Sequence, residues 1–449
     1  FNINYRDNSG ALRTESVHCN ADKITFKGKN ISALKDEDHL WTVEDYRSKV
    51  SFEISSIQMP YSQVTSFNTT WANVDKEFFG SGTFNSNLKK TGLFKNDIKP
   101  MEANLNNARE VLNMVRYKVK WNDKNHLYPT NLNEALKTGL GSSADMNFLL
   151  INALKAGGFN ASPVLISTRS NGMIPMTHPS ASAFNYVITA LRIDTVTYFA
   201  DASSKYSDWN ILPEKCMVTQ ARVLDESGTW WANLSTLSTG STYIYAKYEF
   251  TDNKLLGKIE ETRKGNAAID FRNSYFGSHK DKDEYIEKKA NHLSCQIEGF
   301  EIENEMKTDA DIKTSYTLHH DIATGDEYIY INPLLIKHIS DNPFKGENRV
   351  FPINFDHVKN YVQIVEISIP KGYVVEELPK SERFVFSEGA PIRLTFQAVQ
   401  ADGQIKVHYQ YSLRSLLFLP SDYEGLKEFF GKIVLKNSEQ IVLKKASEV

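Results

Sequence analysis

Residues 138–147 read TGLGSSADMN: a glycine-rich turn delivers Ser142 and Ser143 to the predicted start of a helix. A nucleophile in the first turn of a helix sits among unpaired backbone N–H groups at the positive end of the dipole, where developing negative charge is favoured. A cysteine gains from that placement, because its thiol pKa falls to about 3.5–7.5 in such sites. A serine does not ionise there and works only beside a positioned base. Serine is also a preferred N-cap residue. On residue chemistry alone, the cap is the favoured reading.

One histidine offers a base. His178, in PMTHPS, precedes a predicted strand at 184–193, and a Ser143–His178 pair would be a minimal hydrolase site. A loop histidine beside a proline reads more simply as part of an exposed turn. Other reactive types carry less. Cys19, Cys216 and Cys295 are widely spaced, form no metal pattern, and are odd in number, which excludes a complete disulfide framework. His319 and His320 fall in an alternating β region without a ligand partner at metal spacing. Trp230 and Trp231 read as packing at the end of the middle region. The run HKDKDEYIEKK (279–289) reads as a solvated face or a linker.

The elements that would position these residues follow from periodicity. Residues 1–98 read as β, with KITFKGKNI (23–31) and SKVSFEISSIQ (48–58) alternating so that Ile24, Phe26, Val50, Phe52 and Ile54 share a face. VDKEFFGSG (74–82) adds a short helix. Helical spacing then governs 105–115 and 131–139. Met146, Leu149, Leu150, Ala153 and Leu154 form one apolar stripe after the opening turn, and Gly157–Gly158 end that helix in a left-handed exit. Strands follow at 162–168, 184–193 and 196–203, an α+β order. From about 246 the alternation returns in KYEFT, EYIYINP, VQIVEISIP, PIRLTFQAVQ and KVHYQYSL, a sandwich pattern. A last helix over 421–433 carries a predicted capping box, Ser421 with Glu424, and a stripe of Leu426, Phe429, Phe430 and Ile433.

With these elements in place, the middle third resembles the transglutaminase-like superfamily, whose papain-like core uses Cys, His and Asp. The family hallmark is Gly-x-Gly-x-Cys-x-Asp entering a helix, then a strand carrying His, then a strand ending in Asp. GLGSSAD (139–145) is similar to that turn: Gly139, Gly141 and Asp145 are kept, and Ser143 stands at the cysteine position. FNYVI (184–188) resembles the second motif with Tyr186 at the His position, and aligning Asn185 there instead changes nothing. YFADAS (198–203) resembles the third and keeps Asp201. ASPVLISTRSNGMIP (161–175) and LPEKC (212–216) resemble a three-domain bacterial subgroup, in which the transglutaminase-like domain lies between two β domains of unknown function. TVEDYRSKVSFEI (42–54) resembles the end of the leading one. RVFPINF (349–355), IPKGYVVEELP (369–379) and the stretch at 426–445 resemble the trailing one.

The resemblance implies a multidomain α+β chain. A transglutaminase-like (cysteine-protease-like) core at 99–245 is flanked by two mainly antiparallel β-sandwich-type domains. These are 1–98, the C-terminal part of a leading domain, and 246–449, which ends in a helix. It also implies export to the periplasm or cell surface of a Gram-negative bacterium. Two of the three catalytic positions are changed. Ser143 supplies no thiolate, and Tyr186, with an ordinary pKa of about 10, is a poor base at neutral pH. Asp201 has no imidazole to orient and is left to accept a hydrogen bond from a hydroxyl.

The expectation is therefore a catalytically inactive binding or scaffold protein. Its partner would be a peptide, a glycan or an envelope protein, recognised by the β domains or by the degenerate cleft. Ser143, Tyr186 and Asp201 mark that cleft, with Ser142, Asp145, Arg169, His178 and Asn185 around it. A cleft filled by side chains would make the role architectural. The alternative is a serine-dependent hydrolase or acyltransferase using Ser143 with His178. No cofactor and no metal is expected. Nucleic acid is excluded by a balance of 52 basic against 55 acidic side chains with no basic block. The longest apolar stretches, such as LLFL at 416–419, are too short to span a bilayer. An opening at Phe1, without methionine or leader, reads as a processed or partial chain.

Overall fold

In the computed structural model the described residues are 2–6, 12–16, 25–30, 33–35, 37–53, 56–57, 63–66, 70–251, 254–277, 281–322 and 327–446. They form a mixed α/β, multidomain chain with many antiparallel sheets. Two compact units divide it: residues 1–36 with 40–237, and residues 37–39 with 238–449.

The first unit begins with short β pieces. Strands β1 (Asn2–Arg6), β2 (Leu12–Ser16) and β3 (Ser51–Glu53) pair in the order β2-β1-β3, and β4 (Ser56–Ile57) pairs with β5 (Thr65–Ser66). The strand predicted over 23–31 is absent from its described part: residues 25–30 have no regular structure, and no described strand pairs with them. Phe26 and Val50 are exposed. Alternation without a hydrogen-bonded neighbour does not hold a strand. Cys19, Ile24, Ile54 and the side chain of Phe52 lie outside the described residues.

Helices then take over earlier than residue 98. Helix α1 (Trp71–Gly80) starts on Thr70, whose side chain accepts from Asn73 N, and α2 (Gly82–Asn85) starts on Ser81, which accepts from Phe84 N. Phe78, Phe84 and Phe94 are fully buried in one core with Leu112 of α3 (Leu105–Lys118). Arg222 holds α1 through Asp75, donating from Nε to Oδ1 at 3.0 Å. Residues 71–98 therefore belong to the helical core. Phe78, Phe84 and Phe94 are buried there and Trp71 and Phe79 partly so, in a stretch expected to fall in the β region 1–98.

Helix α4 (Leu132–Thr138) and α5 (Ser143–Ala156) complete the helical layer, and β6 (Lys120–Trp121) pairs in parallel with β7 (Leu140–Gly141). An antiparallel sheet of β8 (Asn160–Ile166), β9 (Tyr186–Ile193), β10 (Val196–Ala200), β11 (Ala221–Val223) and β12 (Trp230–Ala232) runs in the order β10-β9-β8-β11-β12. Helix α5 packs on β8 and β9 on one side and on α3 on another. All its residues from 143 to 154 are buried, so it has no solvated face opposite the predicted stripe. The two amides inside it donate internally: Asn152 Nδ2 reaches Phe148 O at 2.8 Å and Asn87 O at 2.7 Å. Gly158, at φ +87°, supplies the left-handed exit.

The second unit is a large sheet with helices. Its strands are β13 (Thr239–Thr251), β14 (Lys254–Lys264), β15 (Gln296–Glu303), β16 (Ile312–Asp321), β17 (Tyr328–Ile331), β18 (Ile353–Asn354), β19 (Val358–Ser368), β20 (Tyr373–Glu377), β21 (Glu382–Phe386), β22 (Ile392–Ala401), β23 (Gln404–Leu413), β24 (Leu417–Phe418) and β25 (Ile441–Lys445). Eight of them form one sheet, β15-β16-β14-β13-β19-β23-β22-β21, parallel only between β13 and β19. The unit starts before 246 because β13 is a single strand from Thr239, paired along its length with β14 and β19.

Helices α6 (Asn266–Gly277), α7 (Lys282–Leu293) and α8 (Tyr423–Lys436) belong to the same unit. The charged run at 279–289 is thus mostly helix α7, capped by Asp281, with no fully buried residue. The stripe of α8 enters the core as its spacing predicts. Its predicted cap does not form. Residues 420–422 turn as a short 3-10 helix, which carries Ser421 inside the turn, and Asp422 Oδ2 accepts from Leu419 N instead.

Candidate functional site

The GLGSSAD turn is built by two glycines for two reasons. Gly139 ends α4 at φ +71°, a left-handed conformation that a side chain disfavours. At Gly141 a Cβ would sit 3.1–3.2 Å from Val119, Ala135 and Asp145, so the backbone must pass bare. Ser142 then caps α5. Its Oγ accepts from Asp145 N at 3.2 Å, and Asp145 Oδ2 accepts from Ser142 N at 2.9 Å and from Ser142 Oγ at 2.7 Å. The other oxygen, Asp145 Oδ1, accepts from Thr130 N at 2.7 Å and Asn131 N at 3.2 Å. Asp145 thereby fastens the segment before α4 to the start of α5.

That segment also covers Ser143. Ser143 N donates to Lys124 O at 3.0 Å, while its Oγ accepts from His126 N at 3.0 Å and donates to His126 O at 3.3 Å. The hydroxyl is engaged on both sides by main chain, and the residue is 0% exposed. The nitrogen beside Ser143 Oγ is an amide donor, which cannot take its proton.

Tyr186 opens β9, and Asp201 directly follows β10, which pairs with β9. Tyr186 OH donates to Asp201 Oδ2 at 2.9 Å and lies 2.8 Å from Ser203 Oγ. Asp201 Oδ1 accepts from Ser203 N at 2.9 Å, Ser203 Oγ at 2.8 Å and Asn147 Nδ2 at 3.0 Å. Cys216 Sγ stands 3.7 Å and Lys215 Nζ 3.8 Å from Asp201 Oδ2. Tyr186 and Asp201 are both 0% exposed. Burial, reinforced by the Asp201 charge, pushes the Tyr186 hydroxyl well above its ordinary range, so it stays protonated and donates. Burial likewise pushes the Cys216 thiol up, which leaves it a thiol rather than a nucleophile.

Asn147 joins the two halves. Its Nδ2 donates to Ser143 O at 3.0 Å as well as to Asp201, and its Oδ1 accepts from Ala202 N at 3.0 Å and Thr189 Oγ1 at 3.2 Å. From below, Arg116 donates to the carbonyls of Asp201, Ala202 and Ser207. The arrangement is a closed hydrogen-bond network, satisfied from within and shut off from water, where an open cleft was one of the two states expected.

The remaining candidates are placed apart. Asn185 clamps Thr168, accepting from its N at 2.8 Å and donating to its Oγ1 at 2.9 Å. Arg169 lies 4.6 Å over the Trp41 ring and 3.8 Å from Glu214. His178 Nδ1 is 2.9 Å from Thr177 Oγ1. Its loop is held to α1 by Trp71, whose indole N–H donates to Met176 O at 3.1 Å. Residue reasoning did not reach Asn147, Ser203, Lys215 or Cys216 as parts of the network. The one available signal was Asn147, a polar residue one helical turn after Ser143 in a mostly apolar run. Elsewhere, Trp231 packs edge-on to Trp71 at 4.9 Å, whereas Trp230 meets Phe199 edge-on but stays 39% exposed. Among the described residues no group of three or more His, Cys, Asp or Glu side chains is arranged to hold a metal ion, and no helix is long and apolar enough to cross a membrane.

Comparison with known proteins matches residues 327–443 to a domain of unknown function with a solved structure, DUF3858. That span runs from just before β17 into β25. No curated protein matches the chain. Among solved structures, the chain is similar to a crystal structure described as that of a candidate protease from Parabacteroides distasonis, with 9% identity and a TM-score of 0.49. The likeness covers 83% of this chain and 58% of the other. The chain therefore spans less than two thirds of that protein's length.

Proposed function

We propose that this chain is a catalytically inactive transglutaminase-like protein whose former reaction centre now serves as a structural knot, leaving binding or scaffolding to its other surfaces. In this reading the α+β core includes the helices from residue 71 onward and lies between mainly antiparallel β-sandwich-type domains. The match at 327–443 supports the resemblance of the trailing domain. The observation that carries the reading is Ser143 Oγ, buried and bonded in both directions to the main chain of His126. An acyl-transfer serine needs a base nitrogen within hydrogen-bond reach and space for a carbonyl carbon. His178 makes its hydrogen bond with Thr177 instead. In this reading the partner is a peptide, a glycan or another envelope protein, and the protein works in the periplasm or at the cell surface of a Gram-negative bacterium, as the sequence resemblance implies.

The test is chemical. The native chain is expected to take no label from a fluorophosphonate probe and to incorporate no amine into glutamine peptides. Stoichiometric fluorophosphonate labelling that disappears in Ser143→Ala would instead establish the serine hydrolase.

A further inference from the structure

The face of the five-stranded sheet that carries Tyr186 continues along β9 through Ile188 and Ala190 to Arg192, since alternate residues share a face. Over its first half this face is covered: Ile188 and Phe199 belong to a core with Leu212, Cys216, Met217 and Val218. Beyond that cover lies a cavity of about 200 Å³. Arg192 is six residues from Tyr186, roughly 20 Å at strand spacing, so the cavity is separate from the buried network.

Sequence shapes this cavity directly. Ser162 on β8 stands opposite Ala190 on β9, and Val223 on β11 stands opposite Trp230 on β12. Ser162, Ala190 and Val223 are small and buried, and together they leave a depression in the sheet. The walls are larger and polar. Asn160, Arg192 and Thr197 are aligned in register across three neighbouring strands. Trp230 forms another wall, and Phe199 meets its ring edge-on at 6.3 Å.

The polar groups at this rim have bonding capacity to spare. Arg192 uses Nε on Asp194 O at 3.3 Å, and its two terminal nitrogens bond to no described residue. Asp225 uses Oδ1 to accept from Ser227 N and Oγ, and its Oδ2 is unspent among the described residues. Sites of this kind combine a few convergent polar groups with an apolar wall. Here one guanidinium and one carboxylate cancel in net charge, neutral amide and hydroxyl groups lie between them, and a flat indole stands at the side.

We propose that this cavity is a binding site for a single saccharide residue. A pyranose ring presents a patch of C–H groups on its face and hydroxyls around its edge. The Trp230 ring meets the first, while Asn160, Arg192, Thr197 and Asp225 meet the second with both donors and acceptors. The volume is below the roughly 300 Å³ at which drug-sized pockets begin, which suits one sugar ring and no more. This proposal goes beyond the inactive-centre reading and does not depend on it, because none of these residues touches Ser143.

The test is saturation-transfer NMR on the full chain with free glucose, galactose, mannose, N-acetylglucosamine and xylose, and with glycine and dialanine beside them. At least one sugar is expected to show transfer. Trp230→Ala and Arg192→Ala are each expected to weaken that sugar at least tenfold, while Trp230→Phe keeps part of the binding; thermal melts check that each variant is folded. No transfer from any sugar would overturn the proposal, as would transfer that persists unchanged in Trp230→Ala. Binding of glycine or dialanine alone, lost in Arg192→Ala, would also overturn it and make the cavity a site for zwitterions. Fluorophosphonate labelling bears only on Ser143, so either reading can fail without the other.

Discussion

Asp201 in the first unit and Glu261 in the second are carboxylates at 0% and 1% exposure, and the two are stabilised by different means. In the first, Asp201 accepts its hydrogen bonds from neutral donors, Tyr186, Ser203, Asn147 and, more distantly, the Cys216 thiol, with the Lys215 ammonium no nearer than 3.8 Å. In the second, Glu261 on β14 is met by cations. Lys289 of α7 reaches its Oε1 at 2.7 Å, Arg263 pairs with its Oε2, and Tyr316 donates to Oε1 at 2.5 Å. Burial pushes the Glu261 carboxyl up, but the Arg263 and Lys289 charges outweigh it and bring it down to about 2. Glu261 is the centre of an ion-pair cluster pinning α7 to the sheet, whereas Asp201 is a hydrogen-bonded hub that ties α5, through Asn147, to Tyr186 of β9.

The largest expected effect lies in the charged cluster. Glu261→Ala leaves two nearly buried cations, Arg263 and Lys289 with side chains 13% and 15% exposed, without their carboxylate and is expected to destabilise the second unit by about 3–5 kcal/mol, read from urea midpoints and from hydrogen exchange in β14 and β16. Its pH dependence has a definite sign. A carboxyl held below its unfolded value of 4.5 contributes stability that is complete above that value and is lost as pH falls toward about 2. Glu261→Gln should flatten stability across that window. An unchanged acid limb would mean that Glu261 does not carry the acid sensitivity of this unit.

A smaller effect compares the two tyrosines that donate to these carboxylates. Tyr186→Phe leaves Asp201 Oδ2 with only a thiol at 3.7 Å and an ammonium at 3.8 Å. Losing a buried hydrogen bond to a charged group is expected to cost about 1.5–3 kcal/mol. Tyr316→Phe leaves Lys289 still bonded to Glu261 Oε1 at 2.7 Å, and about 0.5–1.5 kcal/mol is expected. Thermal unfolding of both variants ranks them. If Tyr316→Phe proves the more damaging, the neutral network around Asp201 is less tightly coupled than its geometry implies.

How much of this could be read beforehand differs by residue. The glycine turn and the start of α5 follow from local patterns, because Gly139, Gly141 and Asp145 each answer a backbone requirement, whereas the nearness of Tyr186 to Asp201 is expected only from the family resemblance. The closure over Ser143 does not. It is made by the N–H and C=O of His126, which any residue type but proline would present, so no composition or spacing announces it. The cores misled in a different way. Phe78, Phe84 and Phe94 look like residues of any short apolar segment, and only tertiary packing shows that they sit with Phe148 of α5. The strand predicted near residue 26 failed for the converse reason, a local alternation without a described neighbour to pair with.

The smallest expected effect sharpens the comparison at the two helix starts where a serine was predicted to cap. Both sequences, SSAD at 142–145 and SDYE at 421–424, place an acid three residues after a serine, which is the local signature of a capping box. Only the first forms it, because Ser142 takes up an extended backbone, at φ −69° and ψ 170°, just before the helix. Ser421 is drawn into a 3-10 turn begun by Pro420, and the helix after it starts on Asp422 without a side-chain cap bond. Ser142→Ala should therefore cost about 1 kcal/mol, within the 0.5–2 kcal/mol range for a lost N-cap. Ser421→Ala should stay within about ±0.5 kcal/mol, like a substitution away from any special feature. Urea unfolding of the two variants decides it. Equal losses would mean that the serine at 421 caps its helix in solution, and that the turn begun by Pro420 is not the dominant start of α8.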